Sequence, residues 1–284
     1  MTTILARNSY GKSAVRLLKV VRTGAHHDIR ELAVDIALQG AFESAHTVGD
    51  NSMVLPTDTM KNTVYAMARE QSLGEPEDFG GLLATHFLDA SASASSATVT
   101  IREHGWRRLA VDGVPHDHAF ERASSELRSA RVSLVRGGSA AVIVAGIEEL
   151  LILKSGRSAF SGYPRDKYTT LRETEDRILA TSMTTTWRYA AGASDFGGLF
   201  ASVRRTLLET FAHHDSKSVQ HTLYAMGEAV IARCEQVEEI SITMPNKHHL
   251  LVDLSPLGLD NANEIFVPTS EPYGLIEATL TRGG

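Results

Sequence analysis

The sequence predicts an α+β protein built of two similar halves, each an antiparallel sheet backed by a pair of helices. Three observations carry that prediction. Residues 30–39 alternate strictly, with Leu32, Val34, Ile36 and Leu38 apolar between Glu31, Asp35 and Gln39, the period of a strand with one buried face. Apolar residues then recur at helical spacing in two consecutive segments, and the same happens again late in the chain. Finally, the order strand, strand, helix, helix, strand, strand occurs twice, a repeat of architecture without obvious repeat of sequence.

Taken in order, residues 13–22 and 30–39 form a hairpin around Thr23-Gly24-Ala25-His26, which sets Lys12 at its open end. Pro56 ends an extended segment, and Thr57 or Asp58 caps a helix over 57–70 that carries Val64, Met67 and Ala68. A second helix over 77–89 turns Phe79, Leu82, Leu83 and Phe87 to one side. The Ser/Ala-rich run 90–97 reads as a loop into strands near 97–110 and 117–135, with a turn at Gly113. Arg136-Gly137-Gly138 marks the seam between domains 1–138 and 139–284. Strands at 142–155 and 181–189 follow, then helices through Phe196, Val203 and Phe211 and through Val219, Met226 and Cys234. Strands at 240–244, 250–254 and 275–280 close the chain.

With 284 residues, 43% of them apolar, and no membrane-length apolar run, the chain reads as globular and soluble. A net charge of -6 gives no basic footprint for nucleic acid or anionic membranes. The single cysteine, Cys234, has no internal disulfide partner and reads as a small buried apolar group. The start of the chain lacks a secretory apolar region, so a cytoplasmic protein is expected.

Four short stretches hold the chemistry-bearing residues: Tyr10-Gly11-Lys12, Val54 through Tyr65, Arg165 through Leu171, and Pro245-Asn246-Lys247-His248-His249, with Val219-Gln220 before the last. In this order they resemble cofactor-free urate oxidases (uricases), and the resemblance runs from about residue 7 to about 282. It implies two tandem tunnelling-fold (T-fold) domains whose antiparallel sheets close into a barrel on oligomerisation, with helices outside. It also implies a homotetramer with active sites shared between subunits. Open sheet edges that need pairing make a homo-oligomer physically expected as well. Eukaryotic members usually end in a peroxisomal Ser-Lys-Leu-type address; this chain ends Thr-Arg-Gly-Gly, which points to a bacterial cytoplasmic enzyme.

The resemblance implies substrate contacts as well. Arg177 and Gln220 clamp opposite edges of the flat, acidic purine, Phe160 stacks on it, and Val219 and Asp58 present backbone groups to it. Lys12, Thr57 and His248 correspond to a proton relay, and Asn246 to the residue that holds dioxygen or water over the ring. Taken alone, Phe160 reads as core, Arg177 as a surface ion pair, Lys12 as a solvated strand-end lysine and His248 as a hydrogen-bonded strand histidine. A guanidinium fork and a carboxamide nevertheless suit a purine's donor and acceptor edges.

Twelve histidines invite a metal reading. Neighbouring histidines on a strand point to opposite faces, and His116 and His118 lack a third ligand at recognisable spacing. Gly-rich phosphate loops and flavin or nicotinamide fingerprints are also absent. No cofactor is therefore expected, which leaves the substrate to supply the electrons for dioxygen. The competing readings are a pterin-handling T-fold enzyme, which would carry a glutamate anchor and often zinc, and a non-catalytic purine-binding protein.

Overall fold

The computed structural model describes residues 3–283. The chain divides into two compact units, Met1–Gly146 with Arg188–Gly197, and Ile147–Trp187 with Gly198–Gly284. In the first, β1 (Tyr10–Thr23) and β2 (His26–Gly40) form a hairpin, followed by a short α1 (Glu43–Thr47). Helices α2 (Thr57–Glu70) and α3 (Pro76–Ala90) come next, then strands β3 (Ala94–Val111) and β4 (Val114–Val135). The four strands lie side by side in chain order, all antiparallel. α2 packs on β1, and α3 on β3 and β4. Between helices and sheet lies the core anticipated from the alternation: Leu32, Val34, Ile36 and Leu38 are buried against Phe79, Leu83 and Phe87. Each such side chain contributes about 1.5–3 kcal/mol by leaving water.

Strand β5 (Val142–Lys154) leads from the first unit into the second. β6 (Leu179–Tyr189) and α4 (Phe196–His213) belong to the second apart from the ends that fall within Arg188–Gly197, and α5 (Val219–Arg233) and β7 (Val237–Asn246) follow in the second. β8 (His249–Leu251) and β9 (Phe266–Pro268) pair as a small ribbon, and β10 (Gly274–Thr281) returns antiparallel to β7. α5 packs on β7 and β10. No helix among the described residues is long and apolar enough to cross a membrane.

Several local expectations need correction. The Ser/Ala-rich run is not a loop throughout, since β3 begins at Ala94. Its small residues suit close packing: Ala94 and Ala97 are buried, and a Cβ on Gly40 would lie 2.0 Å from the Ser93 carbonyl oxygen. Arg136 also reaches back to the carbonyls of Leu88, Ser91 and Ala94. Leu82 lies off the buried stripe of α3 and is exposed, because its position is out of phase with the i, i+4, i+8 row of Phe79, Leu83 and Phe87. The strand expected at 250–254 is only His249–Leu251. Cys234 is buried just beyond the last residue of α5.

Candidate active site

The sequence-predicted site residues fall into two groups. Lys12, Thr57 and Asp58 belong to the first unit; Phe160, Arg177, Val219, Gln220, Asn246 and His248 belong to the second.

In the first unit Lys12 lies near the open end of the hairpin, opposite Ile36. Gly11 beside it is required by close approach, because a Cβ there would fall 1.8 Å from the Ile36 carbonyl oxygen. The Tyr10 hydroxyl accepts the Leu55 N–H at 2.9 Å, and its ring meets Phe42 edge-on at 4.8 Å. Burial pushes the Tyr10 phenol above its usual pKa. That bond fixes the chain just before Pro56, whose extended backbone (φ -57°, ψ 136°) turns directly into α2. Neither Thr57 nor Asp58 caps the helix, contrary to the sequence expectation: Pro56 occupies the cap, and Thr57 and Asp58 are the first two helical residues. Their N–H groups therefore lie in the helix's positive end, where four donors have no partner within the helix. The Asp58 carboxylate is held by Lys61 at 2.5 Å and Asn62 at 3.0 Å. The hydrogen bond and charge of Lys61 keep it below the ordinary aspartate pKa, and the charge of Lys12 adds a smaller pull in the same direction. At the far end of α2, the Lys19 ammonium donates to the Ala68 and Gln71 carbonyls, both at 2.7 Å.

In the second unit the segment before Phe160 is tied to the start of α5. Ser158 and Ser216 form a parallel bridge, with Ala159 N–H donating to Ser216 O at 2.8 Å and Ser216 N–H to Arg157 O at 3.0 Å. Phe160 and Thr174 exchange backbone hydrogen bonds of 2.8 and 3.1 Å, which brings the following Arg177 back over the ring. Its guanidinium carbon lies 5.1 Å from the Phe160 centroid. Arg177 Nε is buried without a hydrogen-bond partner, and burial pulls the group's pKa below that of ordinary arginine. Ser218 caps α5 by accepting the His221 N–H at 3.1 Å, so Val219 and Gln220 open the helix. Their own N–H groups are free of the helical ladder. Val219 is buried; the Gln220 side chain is exposed. Asn246 ends β7, and the next residue, Lys247, donates its N–H to Ala180 O at 2.9 Å, close in sequence to Arg177. The His248 carbonyl accepts from both N–H and Oγ1 of Thr269, and His248 lines a pocket of about 430 Å³ with Leu250, Pro272 and Tyr273.

Neighbours of both Phe160 and the α5 start escaped the sequence reading. Tyr163 stacks on Phe160 with centroids 4.9 Å apart and planes 16° from parallel; the short spacing to Phe160 was the available signal. Behind the α5 start, His214 and His221 meet at 4.3 Å, and Lys154 donates to the His214 carbonyl at 2.7 Å. Burial, His221 and Lys154 together keep the His214 ring below the ordinary histidine pKa. Nothing in sequence spacing links Lys154 to His214. His116 and His118 do approach, with ring centroids 4.6 Å apart. Even so, no group of three His, Cys, Asp or Glu suited to a metal ion occurs among the described residues.

The first unit thus carries a helix start on the same half of the chain as Lys12, and the second an aromatic ring under an arginine next to another helix start. Free N–H groups and a guanidinium of this kind suit anionic ligands. The uricase family model matches residues 8–133 and 143–277. The uricase of Arthrobacter globiformis is 48% identical over 281 residues, covering 99% of this chain and 91% of that protein. Its crystal structure superposes with a TM-score of 0.94, covering 100% of this chain and 96% of the other. The chain belongs to the uricase family. Uricase from Dictyostelium discoideum is 39% identical over 281 residues, covering 98% of this chain and 97% of that one. The chain is thus an oxidoreductase of the urate oxidase class, and its α+β fold of antiparallel sheets with a few helices is that of the family's solved structures.

Proposed function

We propose that the chain converts urate, dioxygen and water to 5-hydroxyisourate and hydrogen peroxide without a redox cofactor, at sites shared between subunits of a homotetramer. The observation that carries this reading is the preassembly of Phe160, Arg177 and the α5 start in the second unit. In it, Arg177 and Gln220 clamp the purine edges, Phe160 supports its face, and the Val219 and Asp58 backbones hold its remaining polar groups. Lys12 removes a proton, Thr57 passes it on, and His248 completes the relay. The resulting dianion is electron-rich enough to reduce dioxygen directly. Water then adds the hydroxyl group, while Asn246 holds first dioxygen and then water above the ring. The protein's contribution is positioning and proton management.

The paired order of strands and helices in residues 1–138 and 139–284 supports two tandem T-fold repeats, and their unclosed sheets support a barrel completed by neighbouring subunits. Lys12, Thr57 and Asp58 then come from one subunit, and Phe160, Arg177, Gln220, Asn246 and His248 from the next. We place this assembly in the bacterial cytoplasm. Loss of urate's ultraviolet absorbance with stoichiometric peroxide, in enzyme stripped of metals, tests the reaction. A stoichiometric metal requirement or binding without turnover would reject it.

A further inference from the structure

Between Lys12 and Val15 the β1–β2 ladder slips by one residue. Lys12 stands opposite Ile36 and Val15 opposite Val34, so Ser13 and Ala14 together face Asp35. An extra residue of this kind reverses which side of the sheet every preceding side chain faces. From Val15 on, the odd-numbered residues of β1 share the face of Val34 and Leu32, where Leu17 packs on the apolar core and Lys19 reaches the end of α2. Unbroken alternation would give that face to Ser13 and Gly11, and would turn Lys12 away from α2. With the bulge in place, Tyr10 and Lys12 face as their partners Leu38 and Ile36 do, and Tyr10 accordingly reaches the Leu55 N–H.

The bulge needs support. Ala14 has φ 56°, a left-handed conformation that any residue but glycine enters at a cost. Its N–H donates to Asp35 Oδ1 at 2.7 Å, while Asp35 Oδ2 accepts from Arg102 Nη1 on β3 at 2.8 Å. One carboxylate oxygen holds the bulge; the other is anchored to the next strand.

The geometry points to Asp35 as a positioning residue for urate oxidation: by clamping the Ser13–Ala14 bulge, it turns Lys12 toward the start of α2. Asp35 itself faces the other side of the sheet and touches no reacting group. The inference rests on the reading of Lys12 as the base, and the test keeps the two apart.

Four variants of the assembled enzyme are compared: Asp35→Ala, Asp35→Asn, Asp35→Ala with Ala14→Gly, and Lys12→Met. Asp35→Ala should lower kcat by about tenfold or more with KM altered less than about threefold, because a misaimed base slows proton removal without touching the groups that hold the ring. Asp35→Asn keeps an acceptor for the Ala14 N–H and should retain most of kcat. Adding Ala14→Gly to Asp35→Ala should restore at least about threefold, since glycine takes the left-handed conformation without the clamp. A kcat for Asp35→Ala close to that of the parent, alongside an inactive Lys12→Met, overturns the positioning role. Equal losses in all three Asp35 variants also overturn it, by tracing the effect to Arg102's lost partner rather than to the bulge. Activity retained in Lys12→Met overturns the reading of the base, whatever Asp35 does. Should Asp35→Ala fail to fold, Ala14→Val strains the bulge while leaving Asp35 in place. A fall in its kcat supports the role, and an unchanged kcat rejects it.

Discussion

Replacing Arg177 by Gln should separate ligand binding from folding. The guanidinium lies over Phe160 at 5.1 Å, with Nε buried and unpartnered. The ring contact contributes about 0.5–2 kcal/mol, while an orphaned buried donor costs about 1–3 kcal/mol. These terms are similar in size and opposite in sign, so the variant's stability should stay within about 1 kcal/mol of the parent, a Tm change of no more than about 2–4 °C for a chain of this size. Binding is another matter. Removing a charge that pairs with a desolvated anionic purine costs about 2–5 kcal/mol, a loss of affinity of about 30-fold to a few thousand-fold. Calorimetric titration with a non-reactive urate analogue, beside thermal unfolding at fixed protein concentration, measures both quantities. Unaltered analogue affinity, or a Tm fall above about 8 °C with affinity retained, would show that Arg177 serves packing and not recognition.

Lys12→Met should depress turnover far more than apparent affinity while leaving Tm nearly unchanged; steady-state kinetics with an unaltered kcat would remove Lys12 from the mechanism. Thr57→Ala and Arg177→Ala should each be nearly inactive, yet equal amounts reassociated at random should recover about one quarter of parental activity if each site draws on two chains across a two-fold interface. Verified subunit exchange with no recovery would refute the sharing. Burial pushes the Glu31 carboxyl up, but hydrogen bonds from Arg16, Trp106 and Arg122 outweigh it and hold its pKa below ordinary glutamate. The stability it supplies is complete above the unfolded value of about 4.3 and is lost as pH falls through the lower folded value. Glu31→Gln should therefore flatten that part of the acid unfolding curve, and an equally steep curve would reject the assignment.

The features legible in the sequence were those that local rules dictate. Period-two alternation gave Leu32 through Leu38, glycine chemistry gave the turn where Asp112 and Gly113 have φ of 51° and 78°, and helical spacing gave α2 and α3 to within a residue. Illegible parts depended on contacts distant in the chain. The Ser/Ala run looks like a loop until Gly40 and Arg136 are placed beside it. The bulge at Ser13–Ala14 is hidden because nothing in those two residues announces Asp35, 21 positions on. Half of the candidate site was likewise hidden from composition: no spacing rule joins the segment before Phe160 to Ser216, or Arg177 to Phe160, and only resemblance singled out Phe160 and Arg177.

Helix α2 is pinned to β1 at both ends, by the Tyr10 hydroxyl at Leu55 and by the Lys19 ammonium at Ala68 and Gln71. A beam supported at both ends resists sliding and pivoting alike, so the helix start that carries Thr57 is held against the strand that carries Lys12 inside one folded half of the chain. In the proposed shared-site assembly, subunit association would join parts already machined to shape. Dilution should therefore remove activity by separating subunits, while amide protection within α2 persists until that half itself unfolds.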